Sequence, residues 1–208
     1  MSRIVAIYGS PRRRGNTAAL LGEAVRGAAD AGVEVHEVVL RDLKMSPCLE
    51  IYGCKKDGRC VIQDDFQPLL ERLEAAEAVM LASPIFFYTV SAHTKILMDR
   101  CQSLWVRKYW VEDPATRAAA PRRPGLFIAA GATRGRKLFE GTLLTVRYFF
   151  DVLDAQLWRS LCYRELDFEG DVEKHPAYLE EAYQAGRDLV AVLRDDAGEK
   201  AGKGADAP

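Results

Sequence analysis

The 208-residue sequence lacks a long apolar run, a marked net charge and a dense set of cysteines. No apolar run reaches the length that spans a membrane, and the initial Met-Ser-Arg leads into a strand pattern without the apolar core of a signal peptide. Because 29 Lys and Arg residues oppose 30 Asp and Glu residues, no overall attraction to nucleic acid or to an anionic membrane is expected. These absences predict a cytoplasmic protein that binds neither membranes nor nucleic acid.

The five cysteines do not resemble the disulfide framework of a small secreted domain. Three of them, Cys48, Cys54 and Cys60, fall in residues 41–63, where no hydrophobic period is visible and where proline and glycine recur. We name this segment the cysteine loop. Its cysteines are interpreted as thiols or as metal ligands, and composition alone leaves both interpretations open.

The chain length fits one domain with a full hydrophobic core, and a hydrophobic content of 49% is ordinary for a globular protein. Residues 1–194 are predicted to form this domain. Beyond Arg194 the apolar content is too low to support folding, so residues 195–208 are predicted to be a disordered tail.

Strand and helix patterns alternate along the chain. Strands are predicted at residues 4–8, 33–40, 78–82, 125–130 and 155–163, and helices at residues 20–29, 66–77, 91–104, 139–153 and 176–193. Residues 105–124 mix aromatic and basic side chains, end in two prolines and are predicted to be an irregular surface excursion. The alternation predicts a doubly wound α/β sheet of parallel strands, with ligand-binding loops at the carboxyl ends of the strands.

Residues 9–17, Gly-Ser-Pro-Arg-Arg-Arg-Gly-Asn-Thr, connect the first strand to the first helix. We name this segment the phosphate loop. It lacks the Gly-Lys-Ser/Thr ending of a nucleotide P-loop and the Gly-x-Gly-x-x-Gly pattern of a dinucleotide site. Its hydroxyl groups and arginines suit a terminal phosphomonoester at a helix N-terminus, which is the phosphate type of FMN. An ordinary strand-to-helix turn remains the alternative.

Two motifs carry a resemblance to a known family. One is Gly9-Ser10-Pro11-Arg12 with Gly15-Asn16-Thr17, and the other is Ser83-Pro84-Ile85-Phe86-Phe87 followed by Val90-Ser91-Ala92, Lys95 and Asp99-Arg100. With them the sequence resembles the flavodoxin-like NAD(P)H-dependent FMN reductases, in the branch related to the iron-sulfur flavoproteins. The resemblance implies a flavodoxin-like three-layer sandwich with a five-stranded parallel sheet in the order 2-1-3-4-5.

The resemblance also implies a cofactor site. The residues that it assigns to the FMN phosphate are Ser10, Arg12, Gly15, Asn16 and Thr17. The residues that it assigns to the isoalloxazine ring are Pro84, Ile85, Phe86 and Phe87 in one loop and Gly131, Ala132 and Thr133 in another. Core packing is the alternative for the two phenylalanines. No catalytic side chain is expected, since the bound flavin carries the redox chemistry.

The iron-sulfur relatives carry the run Cys-x-x-Cys-x-x-Cys and a fourth cysteine some residues later. In the cysteine loop, Ile51 stands at the second of these positions, and an isoleucine side chain cannot bind iron. A cluster normally needs four thiolates, so we expect neither a cluster nor another metal. Cys48, Cys54 and Cys60 are then predicted to be packing residues, with a reactive or disulfide-forming thiol as the alternative.

The predicted function is that of an FMN-dependent NAD(P)H oxidoreductase of the flavin, quinone or nitro-compound reductase type. NADPH or NADH would reduce the bound FMN, and a small-molecule electron acceptor would reoxidise it in ping-pong order. One alternative is an electron-transfer flavoprotein fed by a protein partner, and another is a flavin-binding regulatory module without turnover. Trp105, Tyr109 and Trp110 gather aromatic side chains typical of interfaces, which predicts a homodimer or a higher homo-oligomer. A self-packed loop is the alternative for these aromatics.

Overall fold

The sheet in this computed structural model, which describes residues 4–120 and 122–204, has five parallel strands. They are β1 (Ile4–Tyr8), β2 (Val35–Val39), β3 (Ala78–Pro84), β4 (Arg123–Ala130) and β5 (Ala155–Tyr163). Their order across the sheet is β2-β1-β3-β4-β5, and each neighbouring pair runs parallel. The predicted order 2-1-3-4-5 is confirmed.

Helices connect the strands. They are α1 (Asn16–Asp30), α2 (Phe66–Ala75), α3 (Ala92–Arg100), α4 (Gln102–Val106), α5 (Pro114–Ala119), α6 (Glu140–Val152) and α7 (Pro176–Gly204). A π-helical turn, Arg107–Val111, follows α4. Ser91 begins α3 as its sequence predicts, because its hydroxyl oxygen accepts a hydrogen bond from the Thr94 N–H at 3.2 Å.

Two hydrophobic cores cover the two faces of the sheet, because side chains alternate between the faces along each strand. Val5 and Ile7 of β1 belong to one core, which includes side chains of α2, α3 and α6. Ile4 and Ala6 belong to the other core, which includes side chains of α1 and α7. The result is the predicted three-layer sandwich, with the carboxyl ends of all strands at one edge.

Residues 105–124, predicted to be an irregular surface excursion, are mostly helical. The second half of α4, the π-helical turn and α5 fill most of the segment. The Asp113 carboxylate caps α5 by accepting hydrogen bonds from the N–H groups of Ala115 and Thr116. Pro124 lies inside β4, where pairing with β3 begins only at Gly125. The prediction that the prolines forbid regular structure here is therefore wrong.

The last helix, α7, is longer than the sequence pattern predicts. The pattern ends at Arg194, whereas the helix continues to Gly204. Two alanines, two lysines and one glutamate in this stretch favour a helix, and the helix forms despite three glycines and a low apolar content. Residues 205–208 lie outside the described residues, and the domain boundary at residue 194 stays a prediction. None of the helices within residues 4–120 and 122–204 is long and apolar enough to cross a membrane.

Candidate cofactor site

A cavity lies at the edge of the sheet where the parallel strands end. Its lining residues are Ser10, Pro11, Arg12, Gly15, Asn16, Thr17, Pro84, Ile85, Phe86, Ala130, Gly131, Ala132, Leu166 and Asp167. They come from the ends of β3 and β4 and from the segments that follow β1, β3, β4 and β5. This position agrees with the rule that open parallel sheets bind ligands beyond the carboxyl ends of their strands.

Ten of the twelve residues that the sequence assigns to the cofactor line this cavity. The exceptions are Phe87 and Thr133. The lining residues missed from the sequence are Pro11, Ala130, Leu166 and Asp167. Leu166 and Asp167 follow β5, so the rule that ligands bind beyond the carboxyl ends of parallel strands could have identified them. Direct contact of any of these residues with FMN stays a prediction.

The phosphate loop places helix N–H groups beside hydroxyl groups. Gly15 precedes α1 and offers no side-chain cap, so the first-turn N–H groups of Asn16 and Thr17 have no partner within the helix. Ser10 and Thr17 are buried, at 6% and 2% exposure, and Ser10 Oγ accepts a hydrogen bond from the Arg12 N–H at 3.0 Å. Together with the partial positive charge of the helix N-terminus, these donors favour an anion.

Close approaches around this loop require glycine at position 9 and leave little room for a side chain at position 15. A Cβ atom on Gly9 would lie 2.0 Å from Thr94 Oγ1, and one on Gly15 would lie 3.2 Å from Ser10 Oγ. A side chain at Gly9 would therefore displace α3, and one at Gly15 would press on a hydroxyl group of the site.

Buried hydroxyl groups join the phosphate loop to the segment after β3. Ser91 Oγ donates a hydrogen bond to Gly9 O at 2.5 Å, and the Ser91 N–H donates to Ser83 Oγ at 2.9 Å. Ser91 Oγ also lies 3.1 Å from Thr94 Oγ1. Because Ser83, Ser91 and Thr94 are fully buried, these bonds are shielded from water and hold two walls of the cavity together.

The segment after β3 forms a two-residue hairpin turn. Phe86 and Thr89 exchange two backbone hydrogen bonds, of 2.9 and 3.1 Å. The intervening Phe87 and Tyr88 have φ angles of 50° and 61°, as a type I′ turn requires. The sequence predicts Phe87 in the apolar wall, but the chain reverses at this residue. Its side chain is therefore fully exposed, while Phe86 lines the cavity.

Residues 164–172, which we name the fourth loop, complete the cavity next to β5. The Leu166 N–H donates a hydrogen bond to Gly131 O at 3.2 Å, which joins this loop to the one after β4. Arg12 Nη1 donates to Asp167 O at 2.8 Å. This bond uses one of the five N–H groups of the Arg12 guanidinium, so the same side chain can also donate to a phosphate that binds in the cavity.

The cysteine loop is organised around the buried guanidinium of Arg100. This group donates hydrogen bonds to Asp64 Oδ2 at 2.6 Å, Ser46 O at 3.0 Å, Ile62 O at 3.1 Å and Cys60 Sγ at 3.4 Å. Burial opposes the ionisation of Asp64, but the hydrogen bond from Arg100 and those from backbone N–H groups outweigh burial and lower the pKa of this carboxyl group. A charged side chain of α3 thus holds the loop to the domain.

The cysteines do not form a metal site within residues 4–120 and 122–204. All five are free thiols, and no group of three or more His, Cys, Asp or Glu side chains in these ranges could hold a metal ion. Ile51 is 58% exposed and supplies no ligand atom. Burial raises the pKa of Cys54, which disfavours the thiolate that binds metals. The residues present do not fit an iron-sulfur cluster, and its absence from the protein stays a prediction.

Comparison with known proteins identifies relatives of this chain. Residues 2–156 match the family model described as NADPH-dependent FMN reductase. An iron-sulfur flavoprotein of Methanocaldococcus jannaschii is 39% identical over 102 residues, which are 49% of this chain and 53% of the relative. The chain spans about half the length of the curated relatives that it matches.

Solved structures share the fold at low sequence identity. A flavodoxin, WrbA-like protein from Agrobacterium tumefaciens has a TM-score of 0.59 and 15% identity, over 94% of this chain and 99% of that one. RosB, solved with bound 8-demethyl-8-formylriboflavin-5′-phosphate, has a TM-score of 0.67 and 15% identity, over 100% of this chain and 88% of that one. The flavodoxin-like fold is confirmed. As the two sequence motifs predict, the chain belongs to the NADPH-dependent FMN reductase family, a family of oxidoreductases.

Proposed function

We propose that the protein is an FMN-dependent NAD(P)H oxidoreductase that passes electrons to a small-molecule acceptor in ping-pong order. One observation carries the proposal: a single cavity joins an uncapped helix N-terminus to an apolar wall. Ser10, Arg12 and Thr17 stand at its polar end, and Pro84 and Phe86 line its apolar part. This combination suits a ligand with a phosphomonoester at one end and a flat, largely apolar ring system at the other.

FMN is such a ligand, and the donor groups of the cavity fit its phosphate. A phosphate dianion can accept hydrogen bonds from the first-turn N–H groups of α1, from the Ser10 and Thr17 hydroxyls and from the Arg12 guanidinium. RosB, which shares the fold, holds a riboflavin 5′-phosphate derivative, and this supports the choice of ligand. Bound FMN supplies the redox chemistry, taking a hydride from a nicotinamide and passing electrons to an acceptor.

The loops around the apolar part of the cavity differ in whether they have a free backbone N–H group that could donate to the flavin ring. The N–H groups of Ile85 and Gly131 already donate to Ala130 O at 3.0 Å and Tyr163 O at 2.9 Å. The Ala132 N–H has no hydrogen-bond partner in the described part of the chain, so it is left to bond the ring edge. We therefore assign the segment after β3 to excluding water from one ring face, and the segment after β4 to orienting the ring edge.

Electron donor and acceptor are proposed to use the same face of the ring in turn. The wall after β3 covers one face, so the other face serves NADPH or NADH first and then a quinone, a nitroaromatic or a free flavin. The oxidised nicotinamide must leave before the acceptor binds. This order predicts parallel lines in double-reciprocal plots when both substrate concentrations are varied.

Anaerobic mixing of the flavin-loaded protein with NADPH or NADH tests the proposal. Fast bleaching of the flavin is expected, followed by its reoxidation on addition of a quinone. If the protein oxidises neither nicotinamide faster than free FMN with any acceptor, the reductase proposal fails. An electron-transfer flavoprotein fed by a protein partner, or a regulatory flavin-binding module, then takes its place.

We also propose that the protein is a homodimer in the cytoplasm. Trp105 and Trp110 pack edge to face with 5.5 Å between their ring centroids, yet 37% and 56% of their surfaces are exposed. Tyr148 of α6 lines the same surface groove and is 70% exposed. An exposed aromatic surface of this kind is typical of protein interfaces. Light scattering at micromolar concentration checks the proposal, and a monomeric mass would refute it.

A further inference from the structure

Asn16, the single asparagine of the chain, joins two loops that are far apart in sequence. Its Nδ2 donates a hydrogen bond to Phe168 O at 2.9 Å, and its Oδ1 accepts one from the Val172 N–H at 3.1 Å. Asn16 is 7% exposed, so both bonds are largely shielded from water. The side chain thus binds the start of α1 to the fourth loop from both of its polar ends.

The fourth loop has its own internal order. The Asp171 carboxylate accepts hydrogen bonds from the N–H groups of Asp167 at 3.0 Å and Phe168 at 2.7 Å. The hydrogen bond with Lys174 and those with these N–H groups lower the pKa of Asp171 to about 2, so the carboxylate stays charged at neutral pH. Asn16 therefore holds a loop whose turn is already formed by a second side chain.

These contacts link three segments that line the cavity: the start of α1, the fourth loop and the loop after β4. Asn16 holds the fourth loop at Phe168 and Val172, and the Leu166 N–H holds the loop after β4 at Gly131 O. Leu166, at one attachment, and Asp167, between the two, line the cavity. Within the described residues, loss of the Asn16 bonds would leave the hydrogen bond from Arg12 to Asp167 O as the link from the phosphate loop to this wall.

We propose that Asn16 is a positioning residue that clamps the fourth loop over the cofactor cavity, and that it acts on flavin binding through this loop rather than by bonding to the phosphate. The proposal rests on the proposed binding of FMN. A phosphate ligand affects only flavins that carry a phosphate. A clamp affects the wall of the cavity, so it affects FMN and riboflavin alike. The ratio of the two affinities separates these roles.

The experiment compares Asn16→Ala with the unaltered protein in flavin titrations by fluorescence quenching. We expect the dissociation constants of FMN and of riboflavin to rise by the same factor, about 10-fold, because two shielded hydrogen bonds are lost. A rise for FMN alone would identify Asn16 as a phosphate ligand and overturn the clamp.

A second variant perturbs the fourth loop from its own side. Asp171→Ala removes the carboxylate that orders Asp167 and Phe168, and it leaves the phosphate loop unchanged. The clamp predicts that Asp171→Ala weakens the binding of FMN and of riboflavin equally. If Asn16→Ala does not fold, Asp171→Ala tests the clamp in its place. Gln67→Ala is the matched control, because the Gln67 amide likewise donates to two loop carbonyls, those of Cys60 and Ile62, but in the cysteine loop. Its flavin affinities should not change.

Hydrogen exchange of the ligand-free protein tests the clamp without any flavin. In Asn16→Ala, the amides of residues 164–172 should exchange at least about 10-fold faster, while those of the cysteine loop keep their rates. Unchanged exchange in the fourth loop would overturn the clamp even if flavin binding were weakened. If the unaltered protein bound no flavin, the proposed function would fail, and the exchange rates would still decide whether Asn16 is a clamp.

Discussion

The phosphate loop and the cysteine loop both correspond to motifs of the same family, but their centres differ. The phosphate loop keeps the glycines, hydroxyl groups and arginine of its motif, and all of them except Gly9 line one cavity. The cysteine loop has Ile51 at a ligand position, and the guanidinium of Arg100 donates to Ser46, Cys60 and Ile62 inside it. In the described residues, the cysteine loop is thus organised around a protein side chain, whereas the phosphate loop borders a cavity.

Replacement of Arg100 by alanine is expected to have the largest effect, which is a loss of stability. The structural change should be confined to the cysteine loop. The guanidinium is buried, so its loss removes the charged partner of the Asp64 carboxylate and one donor to each of two carbonyl oxygens. The free energy of unfolding, measured with urea, should fall by about 3 to 5 kcal/mol. Affinity of the folded protein for FMN should change little, because none of these contacts reaches the cavity.

Lys95→Ala is the matched control on the same helix. Lys95 forms an exposed ion pair with Asp99 at 2.6 Å, and the loss of such a pair should cost less than about 1 kcal/mol. Equal losses of stability in the Lys95 and Arg100 variants would contradict the central role of Arg100 in the cysteine loop.

The double variant Ser10→Ala/Thr17→Ala tests the other side of the comparison. If both hydroxyls bond to a phosphate dianion, the binding free energy of FMN should weaken by about 3 kcal/mol or more, since each hydrogen bond to a charged group contributes roughly 1.5 kcal/mol or more. Riboflavin affinity should be nearly unchanged, because riboflavin has no phosphate. Thr145→Ala, which removes an exposed hydroxyl of α6 bonded to Gly141 O, is the control. Unchanged FMN affinity in the double variant would contradict the phosphate assignment.

How far the sequence predicts each loop depends on how local its structure is. The phosphate loop is predictable because its donors and its glycines lie within nine consecutive residues, 9–17, next to a strand and a helix. Leu166 and Asp167 are missed because they reach the cavity through contacts with Arg12 and Gly131, far away in sequence. Nothing in a local pattern specifies such contacts.

Two further differences have equally specific causes. Arginine is a residue type that is mostly exposed, yet the Arg100 side chain is fully buried, because acceptors from the cysteine loop and from Asp64 surround it. Phe87 is predicted in the apolar wall, but it occupies a turn position with φ of 50°, which aromatic residues seldom adopt. The residue type indicates that position 87 is apolar, but it does not reveal that the chain turns there.

A smaller effect is expected when glycine replaces residues with positive φ angles, one beside the cavity and one in the cysteine loop. Phe87 in the turn after β3 and Glu50 in the cysteine loop are both exposed. Their φ angles are 50° and 49°. Phe87→Gly and Glu50→Gly should each raise the free energy of unfolding by about 0.5 to 1 kcal/mol, because relief of a left-handed conformation exceeds the entropy cost of glycine. Only Phe87→Gly should alter NAD(P)H turnover, since only this residue adjoins the cavity wall. Altered turnover in both variants would contradict the conclusion that the cysteine loop is separate from the cofactor cavity.

The smallest expected effect is in the metal content of the cysteine loop, where analysis of anaerobically purified protein should find FMN but almost no iron or acid-labile sulfide. The reason is local: Ile51 supplies no ligand atom, and the Cys60 sulfur already accepts a hydrogen bond from Arg100. Cys60→Ser, purified in parallel, distinguishes a specific cluster from adventitious iron. Near-stoichiometric iron that is lost in Cys60→Ser would show that the loop binds a cluster despite Ile51, and the contrast with the phosphate loop would then disappear.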